Sequence, residues 1–311
     1  MRIASFNVQR MRLRSTDGGE RLDGAREGDW RPGGEGETPA LDRMDRVLTA
    51  RVLAELDADV VALQEVFDQA TLDHFHDNFL LAENLRPWPH RICLPGNDGR
   101  GFDVALMSRE APRDIRSHAE LTCGELGLEP QPGHGPDERI FRRDCLVATV
   151  GGITLYVCHF KAPYPDAERS WFLRRREAQA VRMLVERYSA GEDNPLWLVL
   201  GDLNEPDGGE GDEEAIAPLT DPTFSVDLLG RLKGEERWSF RDPGSGAYSH
   251  PDAMLASPAL AARYATAKPF YLRCGLERDI ARYEGRHLPG VGEHRPHASD
   301  HAVLAIDLHD D

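Results

Sequence analysis

Short apolar runs bounded by polar side chains recur along this chain. Ile3-Ala4-Ser5-Phe6 closes on Asn7, Val60-Val61-Ala62-Leu63 on Gln64-Glu65, and Leu155-Tyr156-Val157-Cys158 on His159. Leu196-Trp197-Leu198-Val199-Leu200 is followed by Asp202 and Asn204. Two further runs carry the polar end first: Asp252 opens Ala253-Met254-Leu255-Ala256, and Asp300-His301 open Ala302-Val303-Leu304-Ala305-Ile306. Such runs predict buried strands. Asp103-Val104-Ala105-Leu106-Met107 reads as another, and Gly151-Gly152 joins strands at about 145–150 and 153–159 as a hairpin.

The period changes elsewhere. Leu41, Met44, Leu48, Val52 and Leu56 recur at helical spacing, a second helix is expected from Asp68 to Leu81, and a third from Ala167 to Tyr188. The stretch from about Ser15 to Pro39 is rich in Gly, Asp, Glu and Arg and has little apolar periodicity. Beginning just after Asn7, it is expected to be a lid or a mobile insertion. Further loops are expected at 111–138, 205–222 and 275–298, the first insertion occupying 14–40. Strands alternating with helical crossings imply a layered α/β fold. Candidate site residues reach from position 7 to position 301, which argues for one domain over 1–311 rather than two independent halves.

Strand direction gives these polar residues a common address. Asn7, Glu65, His159, Asp202 and Asn204 lie where strands end; Asp252, Asp300 and His301 lie where strands begin. If the two groups run in opposite directions, all eight fall on one edge. Asp202 and Asn204, two apart, point the same way in extended chain. The donors are hard oxygens without a thiolate cluster, which suits Mg²⁺, or Mn²⁺ at the same site. Glu65 is the expected principal ligand, with Asn7 and Asp300 assisting; zinc would call for more His or Cys.

Charge qualifies the substrate. With 37 Lys and Arg against 54 Asp and Glu, the formal charge is −17. Net charge therefore disfavours sequence-independent binding of a polyanion, although a local basic groove can survive it. The five cysteines show no short paired spacing and indicate neither a disulfide scaffold nor a zinc cluster. No signal-peptide region or run of eighteen apolar residues occurs, so a soluble cytoplasmic protein without a transmembrane segment is expected.

The ordered set Asn7, Gln64-Glu65, His159, Gly201-Asp202-Leu203-Asn204, Asp252 and Ser299-Asp300-His301 resembles the endonuclease/exonuclease/phosphatase superfamily, in its deoxyribonuclease-like form. Any one block alone reads as a strand-end turn or cap; the ordered set is specific. The resemblance implies a four-layer α/β sandwich of two mostly antiparallel mixed sheets flanked by helices. It implies Glu65 and Asn7 as the metal-binding pair, with Asp300 a further metal-proximal acid. It implies Asp202 and Asn204 as the residues that orient the attacking water and hold the scissile phosphate. His301 is implied as the site histidine oriented by Asp252, and His159 as a second one. Whether Asp202 or His301 takes the water's proton is left open.

The expected activity is Mg²⁺- or Mn²⁺-dependent phosphodiester hydrolysis by direct water attack. A nuclease comes first, with nucleic acid as partner; a phosphatase or phosphodiesterase of a small or lipid-derived phosphate, of inositol phosphate or sphingomyelin type, comes second. A non-catalytic binding protein on the same fold is third, and no protein partner is inferred. Lys161 and Arg169, near His159, are expected to form an anion-binding rim. The run Arg174-Arg175-Arg176 reads as a solvated helix face, Asp207 to Glu214 as a solvated acidic loop, and His250 as a loop histidine. His294 and His297 are candidate substrate contacts.

Overall fold

A computed structural model describes residues 1–16, 19–26, 39–207 and 213–309. Two six-stranded sheets repeat one plan. In the first, Arg2–Met11 runs parallel to Val60–Val66, and this pair is flanked by antiparallel Val303–Asp307 and Asp103–Ser108. Pro269–Leu272 and His90–Cys93 form its edges. In the second, Trp197–Asp202 runs parallel to Ile153–His159, flanked by antiparallel Asp252–Ala256 and Cys145–Val150. Val226–Asp227 and Arg113–Arg116 form the edges there.

Alternation along the strands explains the layering. Val60, Ala62, Val104, Leu106, Leu155, Val157, Leu198 and Leu200 face the space between the sheets, where their side chains form one core. The intervening Val61, Leu63, Ala105 and Met107 pack beneath the helix Pro39–Leu56. Tyr156, Cys158 and Val199 pack beneath the helix Ala167–Tyr188. Strands buried on both faces are apolar throughout, which is why they read as continuous runs. Truncating one of the inter-sheet leucines to Ala is expected to cost about 2–5 kcal/mol. The result is the expected helix–sheet–sheet–helix sandwich.

Several boundaries differ from expectation. The helix expected over Asp68 to Leu81 is an α-helix only over Gln69–Phe75, capped by Asp68, and loosens into a π-turn over His76–Leu80. The first strand continues past Asn7 to Met11. The 111–138 loop holds the strand Arg113–Arg116 and the short helix Cys123–Leu126, and the 205–222 loop holds the short helix Ala217–Thr220. The 14–40 insertion begins as a hairpin, Leu13–Thr16 with Gly19–Leu22. Its 27–38 portion, the body of the expected lid, lies outside the described residues, as does 208–212 of the acidic run.

Arg174-Arg175-Arg176 is not a solvated face. Arg174 and Arg176 are each 2% exposed. Arg174 pairs with Glu205 at 3.2 Å and Arg176 with Glu138 at 2.9 Å, so loops distant in sequence cover that side of the helix. All five cysteines are buried and free. No helix among the described residues is long and apolar enough to cross a membrane.

Candidate active site

The C-terminal ends of both parallel strand pairs and the N-terminal ends of their antiparallel neighbours meet at one edge of the sandwich. Asp202 sits in register opposite both His159 and Asp252. Its Oδ2 accepts a 3.0 Å hydrogen bond from Asn7 Nδ2 of the other sheet. The same oxygen lies 3.7 Å from His159 Nε2 and 3.8 Å from His301 Nε2. One buried carboxylate therefore faces two imidazoles and an amide. Its other oxygen, Oδ1, accepts the Asn204 N–H at 2.9 Å, while Asn204 Nδ2 donates to the Phe160 carbonyl at 3.0 Å.

His301 is held from behind. Its Nδ1 lies 2.8 Å from Asp252 Oδ2, an oxygen that also accepts the Ser239 hydroxyl at 2.5 Å. The Phe240 ring lies against the imidazole, centroids 4.9 Å apart. Ser299 Oγ donates to the Asn7 carbonyl at 2.6 Å and accepts the His301 N–H at 3.1 Å, so the last strand is locked to the first.

The backbone at this edge is strained. Among the described residues eight non-glycine positions have positive φ, and four of them are Gln9, Arg10, Glu65 and Asn204. Left-handed backbone at such residues is costly and persists where the surrounding structure enforces it. At Gln9 and Arg10 a fully buried arginine holds it: Arg46 of the helix Pro39–Leu56 donates to the carbonyls of Asp23, Val8 and Gln9, each at 2.6 Å. The resulting bulge turns Gln9 inward, where its Oε1 accepts the Asp300 N–H at 3.2 Å and meets His297 Nε2 at 3.1 Å. It also aims the Arg10 N–H at Glu65 Oε2, 2.8 Å away. Gly201 is needed for a related reason. Its φ is +137°, and a Cβ would stand 1.9 Å from the Cys158 carbonyl oxygen, where the two parallel strands close together just before Asp202.

Burial and charge set the protonation states. Burial opposes charge on His301, but Asp252, Asp202 and Asp300 overcome it and push its pKa up to about 10. His159 is driven the other way, well below the ordinary histidine value, by burial and by the nearby Arg143, His301 and Arg100. Burial raises Asp202 to about 6 against the pull of His301. The site thus holds one charged and one neutral imidazole around an acid of raised pKa.

Glu65, half-buried, is pushed up by desolvation and then by the charge of Asp300. Two neighbouring carboxylates are a fitting pair for a hard divalent cation, whereas the Asn7 amide is engaged elsewhere, its Oδ1 accepting the Gln9 N–H at 3.0 Å and its Nδ2 donating to Asp202. No group of three or more His, Cys, Asp or Glu side chains is arranged for a metal among the described residues. A donor set of two carboxylates suits an ion that retains several waters, as Mg²⁺ does.

The remaining candidates divide. Lys161 and Arg169 share a cavity of about 370 Å³ with Arg100 and Arg143. Lys161 Nζ donates to the Ala162 carbonyl at 2.6 Å, and its pKa is lowered to about 8 by burial and by Arg143. His250 pairs with Asp207 at 2.6 Å. His294 is largely exposed and faces Glu277 at 3.5 Å, whereas His297 is buried against Gln9. Sequence reasoning missed Ser239, Phe240, Gln9 and Arg143. For Gln9 a signal existed in Asn7-Val8-Gln9, whose alternation continues the strand.

The endonuclease/exonuclease/phosphatase family matches residues 4–271, so the Ser299-Asp300-His301 block joins the site by folding beside the first strand rather than within the matched span. Among solved structures, an AP endonuclease from Archaeoglobus fulgidus is 17% identical with a TM-score of 0.58, covering 99% of each chain. Truncated TDP2 from Caenorhabditis elegans is 15% identical with a TM-score of 0.55, covering 98% of this chain and 95% of its own. A mannosyl-6-phosphatase from Bacteroides thetaiotaomicron is 13% identical with a TM-score of 0.55, covering 99% of each. At these identities the likeness is one of fold. No curated protein matches the chain.

Proposed function

Since the chain belongs to the endonuclease/exonuclease/phosphatase family, we propose that it hydrolyses a phosphodiester by direct attack of water, with Mg²⁺ or Mn²⁺ as cofactor. The observation that carries this reading is the Asp202 carboxylate facing His301, His159 and Asn7 across the junction of the two sheets. Asp202, ionised at neutral pH and aligned by Asn7, takes the proton of the attacking water. His301, kept charged by Asp252, neutralises charge growing on the phosphoryl oxygens. His159, neutral, offers a hydrogen bond to the same phosphoryl group, and Asn204 orients Asp202 through its backbone N–H. The new P–O bond forms from water as the ester P–O bond breaks, and the departing alkoxide is protonated by solvent. Glu65 and Asp300 are the residues that would hold a divalent cation, which would supply Lewis-acid neutralisation of the phosphate when bound.

Net charge favours a second reading within the same chemistry, a small or lipid-derived phosphate ester in place of a polymer. The test is stereochemical. A diester chiral at phosphorus through sulfur substitution, hydrolysed in heavy-oxygen water so that the product phosphorus is also chiral, is expected to react with inversion, as a single in-line attack requires. Retention would point to a covalent intermediate and overturn direct water attack. A panel of plasmid DNA, abasic duplex, RNA, sphingomyelin and inositol phosphates then ranks the two readings.

A further inference from the structure

Charge on the surface beside this site departs from the charge of the molecule. A cavity of about 350 Å³ is lined by Arg10, Arg12, Arg14, Arg26 and Arg100 with Asp23 as its carboxylate. It adjoins the 370 Å³ cavity of Lys161 and Arg169, and the two share Gly99 and Arg100. A predominantly basic trough, with Asp98 and Asp166 in its second part, therefore lies beside Glu65, whose Oε2 accepts the Arg10 N–H, in a protein of net charge −17. Local charge of one sign raises the local concentration of the opposite ion even on a molecule of unfavourable total charge.

Two of these guanidiniums are built into place rather than spent on internal ion pairs. Among the described residues neither Arg10 nor Arg12 has a carboxylate partner, although the chain carries 54 Asp and Glu. Each lies on a phenyl ring instead: Arg12 is 3.8 Å from the Phe67 centroid and Arg10 is 5.3 Å from that of Phe102; Arg100 meets the same Phe102 ring at 4.6 Å but is itself paired with Asp98 at 2.8 Å. Stacking on a ring leaves the edge N–H groups of a guanidinium free for a phosphate. The rings are themselves fixed. Gly101 has φ +75°, and a Cβ there would stand 2.1 Å from the Phe67 ring, so only glycine lets that ring lie against the loop. Arg10 is directed outward by the same left-handed bulge that aims its N–H at Glu65.

We infer that the Arg10–Arg12 trough is a second phosphate subsite, which receives a phosphate group of the substrate other than the one being cleaved. This rests on the phosphodiesterase reading and narrows it: the substrate carries at least two phosphates, supplied by a neighbouring nucleotide of a nucleic-acid strand or by a small polyphosphate.

Equilibrium binding tests this without turnover. In EDTA, the anisotropy of a fluorescein-labelled thymidine 12-mer is titrated with the wild-type protein and with Arg10→Gln/Arg12→Gln. A parallel calorimetric titration uses inositol 1,4,5-trisphosphate. Arg113→Gln/Arg116→Gln, on the exposed edge strand of the second sheet, removes the same two charges elsewhere. The trough variant is expected to weaken one ligand at least tenfold while melting as the wild type does, and the edge variant to change it less than twofold. For the 12-mer, the slope of log K against log salt falls by about 0.7 for each phosphate that the protein no longer neutralises. Weakening confined to the 12-mer assigns the second phosphate to a strand, and weakening confined to the trisphosphate assigns it to a small polyphosphate. Wild-type binding of both ligands by the trough variant, equal weakening in the edge variant, or binding of neither by the wild type overturns the subsite. Failure to hydrolyse any phosphodiester would overturn the reading of the catalytic site and leave the binding result standing.

Discussion

His301 Nδ1 and Ser239 Oγ converge on one oxygen, Asp252 Oδ2, at 2.8 and 2.5 Å. Asp252 is fully buried, and its Oδ2 contact holds the imidazole with Nε2 toward Asp202. Asp252→Asn is expected to reduce kcat about 10²–10³-fold, the range for losing one donor aimed at developing phosphoryl charge. Ser239→Ala, which leaves the histidine bond intact, is expected to lower kcat by less than tenfold. Steady-state kinetics on bis(p-nitrophenyl) phosphate measure both, and equal losses in the two variants would contradict this ordering.

The pH profile follows from the same cluster. Asp202 must be ionised to accept a proton, and its pKa is raised to about 6; His301 must be protonated, and its pKa is raised to about 10. The kcat/KM of the free enzyme is expected to rise through the first value, level off, and fall through the second. Asp202→Asn removes the lower limb. A profile whose lower limb is unchanged in that variant would assign the limb to another group.

Gly201→Ala tests the close approach of the two parallel strands. The added Cβ meets the Cys158 carbonyl oxygen at 1.9 Å in a backbone conformation that alanine rarely adopts. Chemical denaturation is expected to show a net loss of more than about 1 kcal/mol, because the clash and backbone strain outweigh the entropic gain of replacing a glycine. The stability of the wild type would show that the strands separate freely here.

Removal of metal is expected to abolish turnover, and Mg²⁺ or Mn²⁺ to restore it. Glu65→Gln is expected to raise the Mg²⁺ concentration for half-maximal rate at least about tenfold, the lower end of what even outer ligands contribute. An unchanged Mg²⁺ dependence would remove Glu65 from the metal site.

Much of this arrangement is legible in the sequence because buried strands announce themselves. Runs such as Val60-Val61-Ala62-Leu63 and Leu198-Val199-Leu200 are apolar on both faces, and the polar residue that ends each run marks the sheet edge. Edge strands are harder to see. His90–Cys93 and Arg113–Arg116 carry charged side chains that protect an unpaired edge, and so present no apolar run. Ser239 is hidden because its importance comes from the two-residue pairing of Phe240–Arg241 with Tyr248–Ser249, which carries it under Asp252. Arg174 and Arg176 look solvated in sequence because their partners, Glu205 and Glu138, reach them only in the folded chain. The bulge at Gln9 and Arg10 depends on Arg46, whose polar head gives no sequence sign of being buried.

The central claim is that the junction of Asp202 and His301 is where a phosphodiester is cleaved. Its most direct test is the initial rate of bis(p-nitrophenyl) phosphate hydrolysis with saturating Mg²⁺, for the wild type and for Asp202→Asn and His301→Ala proteins shown by thermal melting to be folded. The account predicts turnover by the wild type and at least a hundredfold loss in each variant. Turnover by either folded variant at the wild-type rate would contradict it.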